Sequence, residues 1–213
     1  MSSFTATPTG LPRSGRTAFL RRALTDQAAI GAIAPTSASL AGRLVDLIPA
    51  TTGLRVLELG AGTGAISAAI DRRLGPGATH IALERDPALL AEVGHVAPRA
   101  TPVLGDAVEL ATHVQDAGLS EVDLILSSLP WSNFDPAVSR RIIAAACSVL
   151  APSGAFATIA YRPTRLNPRS RRFRRLLASS FTDVVATGTT WASLPPARLL
   201  VCREPVAGSR GPA

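Results

Sequence analysis

Apolar and polar residues along most of the chain follow two alternating patterns. Short apolar runs such as Arg55–Leu59 and Val122–Ser127 are bounded by turn residues and have the length of buried strands. Longer segments between such runs carry apolar residues every three or four positions, as in Pro136–Leu150. Strands that alternate with helices in this way predict an α/β fold, a mostly parallel sheet with helices on both faces.

Seven strands are predicted in this pattern. They are Arg55–Leu59, Thr79–Glu84, Thr101–Leu104, Val122–Ser127, Ala155–Tyr161, Asp183–Thr187 and Leu199–Cys202. The helices between them are predicted at Ala65–Leu74, Pro87–Val96, Val108–Ala117, Pro136–Leu150 and Ser170–Ala178. Seven strands that end in an antiparallel hairpin strand indicate a Rossmann-like sheet different from the six-stranded dehydrogenase form.

The N-terminal residues do not continue this pattern. The segment Arg16–Ala29 is a predicted short basic amphipathic helix, with Phe19 and Leu20 on its apolar side, and a second helix is predicted at Ser37–Ile48. Both ends of the chain are too polar and too rich in small residues to offset the entropy of ordering. The predicted segments are a mobile tail at 1–15, a helical segment at 16–50, one α/β domain at 51–204 and a mobile tail at 205–213.

The amino-acid composition predicts the net charge of the protein and its cellular compartment. All 22 basic residues are arginine, and the formal net charge of +7 predicts attraction to polyanions such as RNA or an anionic membrane surface. No apolar run reaches the roughly 18 residues of a membrane span, and no signal-peptide core is present. Cys147 and Cys202 lack a CxxC or metal-ligand spacing, so we expect reduced thiols and no metal. The sequence thus predicts a cytoplasmic protein, peripheral at the inner face of the membrane.

A glycine-rich turn after the first strand carries the candidate chemistry. The segment Val56–Gly64 ends in Gly60-Ala61-Gly62-Thr63-Gly64, directly before a predicted helix. Glycines at alternate positions leave no wide turn for a pyrophosphate, but they permit close backbone approach to a smaller ligand group. We predict that Gly60, Ala61, Gly62 and Gly64 bind the methionine and ribose parts of S-adenosylmethionine.

Acidic residues at strand ends extend this predicted cofactor site. Glu84 ends the second strand, where a carboxylate accepts from ribose hydroxyls. Asp106 follows the third strand and is assigned either to the adenine amino group or to a Gly-Asp turn. Glu58, within the glycine strand, is assigned either to the ligand ammonium and loop amides or to a structural role. Neighbouring positions complete the predicted cofactor set: Arg85, Ala107 and Ser127. The three histidines are expected in the core or at the surface without paired partners.

The loop after the fourth strand is the predicted acceptor site. Ligands of open α/β sheets lie beyond the carboxyl ends of the strands, and Ser128-Leu129-Pro130-Trp131 stands at this position. Carbonyls fixed by the proline would orient an amine, and the tryptophan ring would tolerate developing positive charge. Packing of Trp131 in the core is the alternative. Tyr161, at the end of the fifth strand, is assigned either to orienting the amine and accepting its proton or to packing.

These motifs resemble those of bacterial phospholipid N-methyltransferases, over residues 18–203. The resemblance rests on the glycine motif, on the acceptor loop and on three further segments: Ala18-Phe19-Leu20, Gly31-Ala32-Ile33-Ala34-Pro35-Thr36-Ser37 and Trp191-Ala192-Ser193-Leu194-Pro195-Pro196-Ala197-Arg198. It implies a class I methyltransferase that uses S-adenosylmethionine, has a membrane-touching N-terminal helix and methylates the amine of phosphatidylethanolamine or a related lipid.

Two other acceptor classes remain open from the sequence. The rRNA adenine dimethyltransferases share the glycine motif and a similar acceptor loop, and Arg162–Arg175 places seven arginines in fourteen residues. Such a run binds a phosphate backbone, lies on anionic lipid headgroups or is simply solvated. A soluble amine or peptide terminus is the third acceptor class. The predicted partner is a phospholipid at an anionic membrane surface, because no helical RNA-holding domain follows the sheet.

Overall fold

The computed structural model describes residues 37–193 and 195–206. Seven strands form one sheet there. They are β1 (Arg55–Leu59), β2 (Thr79–Glu84), β3 (Thr101–Leu104), β4 (Val122–Ser127), β5 (Leu150–Tyr161), β6 (Phe181–Ala186) and β7 (Ala197–Pro205). The spatial order is β3-β2-β1-β4-β5-β7-β6, with β1 to β5 parallel and β7 antiparallel to both β5 and β6. The predicted fold class is therefore confirmed.

Six α-helices lie within the described residues, one before β1 and five between successive strands from β1 to β6. They are α1 (Ala38–Val45), α2 (Ala65–Arg73), α3 (Pro87–Val96), α4 (Leu110–Asp116), α5 (Pro136–Val149) and α6 (Pro168–Ser180). Helices α3, α5 and α6 begin in the same way, with a proline in the first turn after Asp86, Asp135 or Asn167. Each of these cap side chains accepts a hydrogen bond from an otherwise unpaired backbone N–H, which fixes the strand-to-helix turns around the carboxyl edge of the sheet.

The sheet has a separate apolar core on each face. On one face α4, α5 and α6 pack against side chains such as Leu57, Ile81 and Phe156. On the other face α1 and α2 pack against Val56 and Leu124. Because successive side chains of a strand point to opposite faces, continuous apolar strands are needed to fill both cores.

The largest difference from the predicted elements is at the start of β5. The strand begins at Leu150 rather than Ala155, and it therefore contains Pro152-Ser153-Gly154, residues typical of a turn. Leu150 still pairs with Val122, and the register then shifts before Leu124 pairs with Ala155. An irregularity in the ladder thus accommodates the turn-forming residues within a strand.

The predicted N-terminal helix Arg16–Ala29 and the tail at 1–15 lie outside the described residues. Among the described residues, no helix combines the length and the apolar character needed to cross a membrane. The order in which strands are added to the sheet reverses between β1 and β4, since β2 and β3 extend to one side of β1 and β4 lies on the other. In open α/β sheets the ligand crevice lies beyond the strand ends at this point.

Candidate active site

The glycine turn lies at the crevice between β1 and α2. Gly60, Gly62 and Gly64 all have positive φ angles, of 79°, 56° and 81°. A Cβ atom at Gly62 would meet little of the protein, the nearest atom being the carbonyl oxygen of Gly60 at 3.9 Å. The absence of a side chain at Gly62 therefore leaves open space above the turn rather than relieving an internal clash, as a turn that receives a ligand requires.

Glu84 lies directly against this turn. The backbone N–H of Gly62 donates to Glu84 Oε2 at 2.9 Å, and the amides of Arg85 and Asp86 donate to Oε1 at 2.9 and 3.1 Å. A carboxylate accepts about four hydrogen bonds, so one position on Oε2 remains beside the turn. The predicted proximity of Glu84 and the glycines is present in the structure, and it comes from hydrogen bonds that the sequence did not reveal.

Glu58 forms a buried polar cluster beneath the turn. Its side chain is 1% exposed, Ser67 donates to its Oε2 at 2.7 Å, and His80 Nε2 lies 3.1 Å from the same oxygen. The expectation that His80 has no paired partner is therefore wrong. Its ring faces the same side of the sheet as Glu58 on the neighbouring strand. Glu58 Oε1 and His80 Nδ1 have no hydrogen-bond partner among the described residues.

Asp106 follows β3 and is exposed. Its Oδ1 accepts from the backbone N–H of Val108 at 2.9 Å and so caps the 3₁₀ turn Ala107–Glu109. This is the turn-forming role that the sequence offered as one alternative, and it fixes the carboxylate at the carboxyl edge. Gly105 before it packs against the half-buried ring of His113, where a Cβ atom would clash.

The predicted acceptor loop packs on the glycine turn. Ser128 donates from its hydroxyl to the carbonyl of Gly60 at 2.6 Å and from its backbone N–H to Leu59 at 3.0 Å. A Cβ atom at Gly60 would lie 3.0 Å from the side chain of Leu129. Ser127 beneath them is fully buried, and its hydroxyl accepts from the Leu129 amide at 3.3 Å. The acceptor loop and the glycine turn are thus joined by hydrogen bonds at the strand ends.

Trp131 belongs to the apolar core rather than to the open side of the loop. Its side chain is only 5% exposed, and its ring stacks on Phe173 with centroids 4.2 Å apart. The indole N–H donates to Thr158 Oγ1 at 2.8 Å, and Thr158 donates to the carbonyl of Ser127 at 3.1 Å. One ring face is therefore covered by α6, and the ring holds the loop in place from below.

Carbonyl groups of the loop are held by short backbone turns. The carbonyl of Leu129 accepts from the N–H of Trp131 at 3.0 Å, and that of Pro130 accepts from Asn133 at 2.8 Å. Each carbonyl oxygen has a second lone pair. Orientation of an amine by fixed carbonyls, as predicted, is compatible with this geometry.

Tyr161 ends β5 at the same edge of the sheet. Its half-buried ring packs against the core that α1 and α2 cover, and its carbonyl accepts from the hydroxyl of Thr164 at 2.9 Å. The packing role is thus present, and a role in proton transfer stays a prediction.

The structure therefore brings together the glycine turn, Glu84 and the acceptor loop, and it places Asp106 farther along the same edge. Sequence reasoning missed three supporting residues: Ser67, His80 and Thr158. The only available signal was a polar residue in an apolar element, since His80 and Thr158 each interrupt a buried strand. Their partners lie on neighbouring strands or on a helix, and only the register identifies them.

Comparison with known proteins identifies the family. The family described as "Methyltransferase domain" matches residues 56–154, from β1 through the turn that precedes the main part of β5. An ornithine lipid N-methyltransferase from Singulisphaera acidiphila is 36% identical over 190 residues, which are 87% of this chain and 94% of that protein. The alignment thus includes both the glycine turn and the acceptor loop.

Solved structures of low sequence identity share the fold. The O-methyltransferase TomG from Streptomyces achromogenes, in complex with SAM, has a TM-score of 0.65 at 18% identity and covers 86% of this chain and 88% of its own. The O-methyltransferase from Bacillus cereus, in complex with SAH, has a TM-score of 0.64 at 17% identity, with 91% and 92% covered. The chain belongs to the S-adenosylmethionine-dependent methyltransferases, in the family of the Singulisphaera enzyme, and its cofactor is S-adenosylmethionine.

Proposed function

We propose that this enzyme methylates the primary amine of a membrane-lipid headgroup. The observation that carries the proposal is the match to a lipid N-methyltransferase over nearly its whole length. The direct packing of the acceptor loop on the glycine turn supports it, because an acceptor bound at the loop would lie beside the cofactor.

The residues at the turn fit S-adenosylmethionine. Open space lies above Gly62, and Glu84 keeps acceptor capacity at the edge of that space for a ribose hydroxyl. The unpaired Oε1 of buried Glu58 calls for a donor, which an ammonium group or an ordered water would supply. Asp106 and Ala107 lie farther along the edge, where the adenine ring would extend. When bound, the cofactor supplies an electrophilic methyl group on a cationic sulfonium.

The acceptor side works mainly by positioning and by exclusion of water. Methyl transfer to nitrogen is an in-line displacement and needs no covalent enzyme nucleophile. The carbonyls of Leu129 and Pro130 would hold the neutral amine through its N–H groups, so that its lone pair points along the line of attack. The ammonium form must first lose a proton, and Tyr161 is the candidate group for orienting it or accepting that proton, directly or through water.

Two headgroups share the chemistry that this site requires. The Singulisphaera relative is named for ornithine lipid, and the sequence motifs resemble those of enzymes that act on phosphatidylethanolamine. Both lipids carry a primary amine and an anionic group, a carboxylate in the first and a phosphate in the second. We therefore propose a zwitterionic amine lipid as the acceptor class.

Incubation of the purified enzyme with labelled S-adenosylmethionine and separate acceptors tests the proposal. The acceptors are ornithine lipid, phosphatidylethanolamine, rRNA, free ornithine and ethanolamine, with both lipids in neutral detergent micelles. We expect label in one or both lipids and none in the soluble amines. The Gly62→Val variant serves as the control, since its side chain fills the cofactor space. Label confined to rRNA or to the soluble amines would overturn the proposal.

A further inference from the structure

Four arginines gather beyond the carboxyl end of β5 without a carboxylate among them. Arg165 lies in the 3₁₀ turn Pro163–Leu166, Arg171 and Arg174 lie on α6, and Arg198 lies on β7. Arg174 donates to the carbonyl of Arg165 at 3.0 Å, which holds the turn against the helix. The ion pairs recorded within 37–193 and 195–206 involve Arg55, His80, Arg99 and Arg203 but none of these four.

The electrostatics of Arg174 show that the cluster lacks a counter-charge. Partial burial lowers the pKa of its guanidinium, and repulsion from Arg198, Arg165 and Arg171 lowers the pKa further. Folding has thus placed four like charges close together in the protein alone. An anion outside the described residues is the group that would neutralise them.

Two large apolar side chains are exposed beside these charges. Leu166 is 85% exposed and directly follows Arg165, and Trp191 is 71% exposed. The guanidinium of Arg162 lies over the Trp191 ring, 5.4 Å from its centroid. An exposed leucine and tryptophan flanked by arginines are the composition of a surface that lies at a membrane interface. Nucleic-acid phosphates would match the charges but would give Leu166 no apolar environment.

This surface adjoins the acceptor loop. Arg169, at the start of α6, donates from its guanidinium to the carbonyl of Asn133 at 3.0 Å, and Asn133 lies two residues beyond Trp131, the last residue of the acceptor loop. The backbone N–H of Arg162 donates to Pro196 at 2.8 Å, which ties the segment after β5 to the start of β7. A bilayer that contacts the surface would therefore lie at the edge of the sheet where the acceptor loop opens.

We propose that Arg165, Arg171, Arg174, Arg198, Leu166 and Trp191 form a docking surface for anionic phospholipid bilayers. This inference rests on the proposed function for its purpose, which is to bring the active site to the lipid acceptor. Leu166 and Trp191 enter the membrane interface, and the arginines bind the anionic headgroups around them.

Sedimentation of the full chain with vesicles tests the surface without any methyl transfer. The probes are phosphatidylcholine vesicles, with and without phosphatidylglycerol. We expect binding to the anionic vesicles only, and release by added salt. The double variant Arg165→Glu, Arg171→Glu should bind at least about tenfold more weakly, since each near-surface basic residue contributes severalfold. Leu166→Asp with Trp191→Ala should weaken binding by a similar factor at unchanged arginine content.

The matched control is Arg72→Glu with Arg73→Glu. These exposed residues end α2 at the opposite edge of the sheet, and the control changes the net charge by the same amount as the arginine variant. All variants should keep the wild-type affinity for S-adenosylmethionine in calorimetry, which shows that the fold is retained. Equal losses in the control and the test variant would overturn the docking surface, because net charge alone would then explain binding. Tight salt-sensitive binding to rRNA without vesicle binding would also overturn it.

Methylation in detergent micelles separates this proposal from the proposed function. If lipid is methylated in micelles but the variants bind vesicles normally, the docking surface is wrong and the lipid acceptor stands. If the variants lose vesicle binding but no lipid is ever methylated, the acceptor assignment fails while the membrane surface stands.

Discussion

The carboxyl edge of the sheet has a cofactor half and an acceptor half, which differ in how their charged side chains are paired. On the cofactor half, the carboxylate of Glu84 is held by three backbone amides, and Glu58 is bound by Ser67 and His80. On the acceptor half, Arg174 and its neighbouring arginines have no carboxylate partner among the described residues. The cofactor half is thus assembled by the protein itself, whereas the acceptor half keeps a charge that an external anion would satisfy.

Arg55 shows that this difference is not a shortage of acids. Its guanidinium binds Asp123 at 2.6 Å and Glu121 at 3.0 Å, and these contacts raise the pKa of Arg55 and lower that of Asp123. The pair joins the starts of β1 and β4, at the opposite edge from the active site. At Arg55, which joins two strands, the chain thus supplies carboxylate partners.

Removal of the Trp131 ring, which supports the acceptor loop from below, should have the largest effect on the free energy of unfolding. Trp131→Ala leaves a cavity beside Phe173 and removes the indole donor to Thr158, so we expect a loss of about 3–5 kcal/mol in the free energy of unfolding. Trp131→Phe keeps most of the packing and should lose much less. Urea denaturation measures both values. An unchanged free energy of unfolding in Trp131→Ala, with a loss of turnover only, would contradict the core role and favour direct contact with the acceptor.

The cofactor half should respond to the loss of one carboxylate. Glu84→Ala removes an acceptor of three backbone amides and of the proposed ribose contact, so affinity for S-adenosylmethionine should fall by about 1.5–3 kcal/mol, or roughly 10- to 100-fold. Glu84→Gln retains one acceptor oxygen and should lose less. Calorimetry with both variants and with Gly62→Val provides the measurement. Unchanged affinity in all three, with the fold retained, would place the cofactor elsewhere.

Local signals in the sequence predicted the cofactor half of the site better than the acceptor half. The glycine turn and Glu84 stand at strand ends with a recognisable spacing, and the structure brings them within one hydrogen bond. For Trp131 the sequence left two alternatives, a ring face for the acceptor or a core position, and only the tertiary contact with Phe173 distinguishes them. His80 was missed because its partner is on another strand. Spacing thus identifies groups fixed by local backbone, but it does not reveal pairings made across the sheet.

Low pH should weaken the ion pair between Arg55 and Asp123, because it protonates the carboxylate. Hydrogen bonds from Arg55 hold the pKa of Asp123 below its ordinary value. A carboxylate with a lowered pKa stabilises the fold above its unfolded-state pKa of about 4, and this contribution is lost as the pH falls through the folded-state pKa. Asp123→Asn should therefore cost about 1–2 kcal/mol near neutral pH. Urea unfolding from pH 7 to pH 2 should show that the wild type and the variant converge; a constant gap would contradict this account.

The smallest expected effect on stability is at Arg174. Its response to added salt should be opposite to that of the Arg55 ion pair. Arg174→Met keeps the helix propensity and the apolar stem but removes one charge from the repelling cluster, at the loss of a hydrogen bond to Arg165. Stability should change by less than about 0.5 kcal/mol. Added salt should stabilise the wild type more than this variant, because salt screens a repulsion that the variant lacks. For the Arg55 pair salt should act in the opposite direction, since it screens an attraction. The same Arg174→Met change should weaken binding to anionic vesicles about fivefold, at roughly 1 kcal/mol per basic residue. An arginine retained for the fold would show the reverse, a clear loss of stability with unchanged vesicle binding.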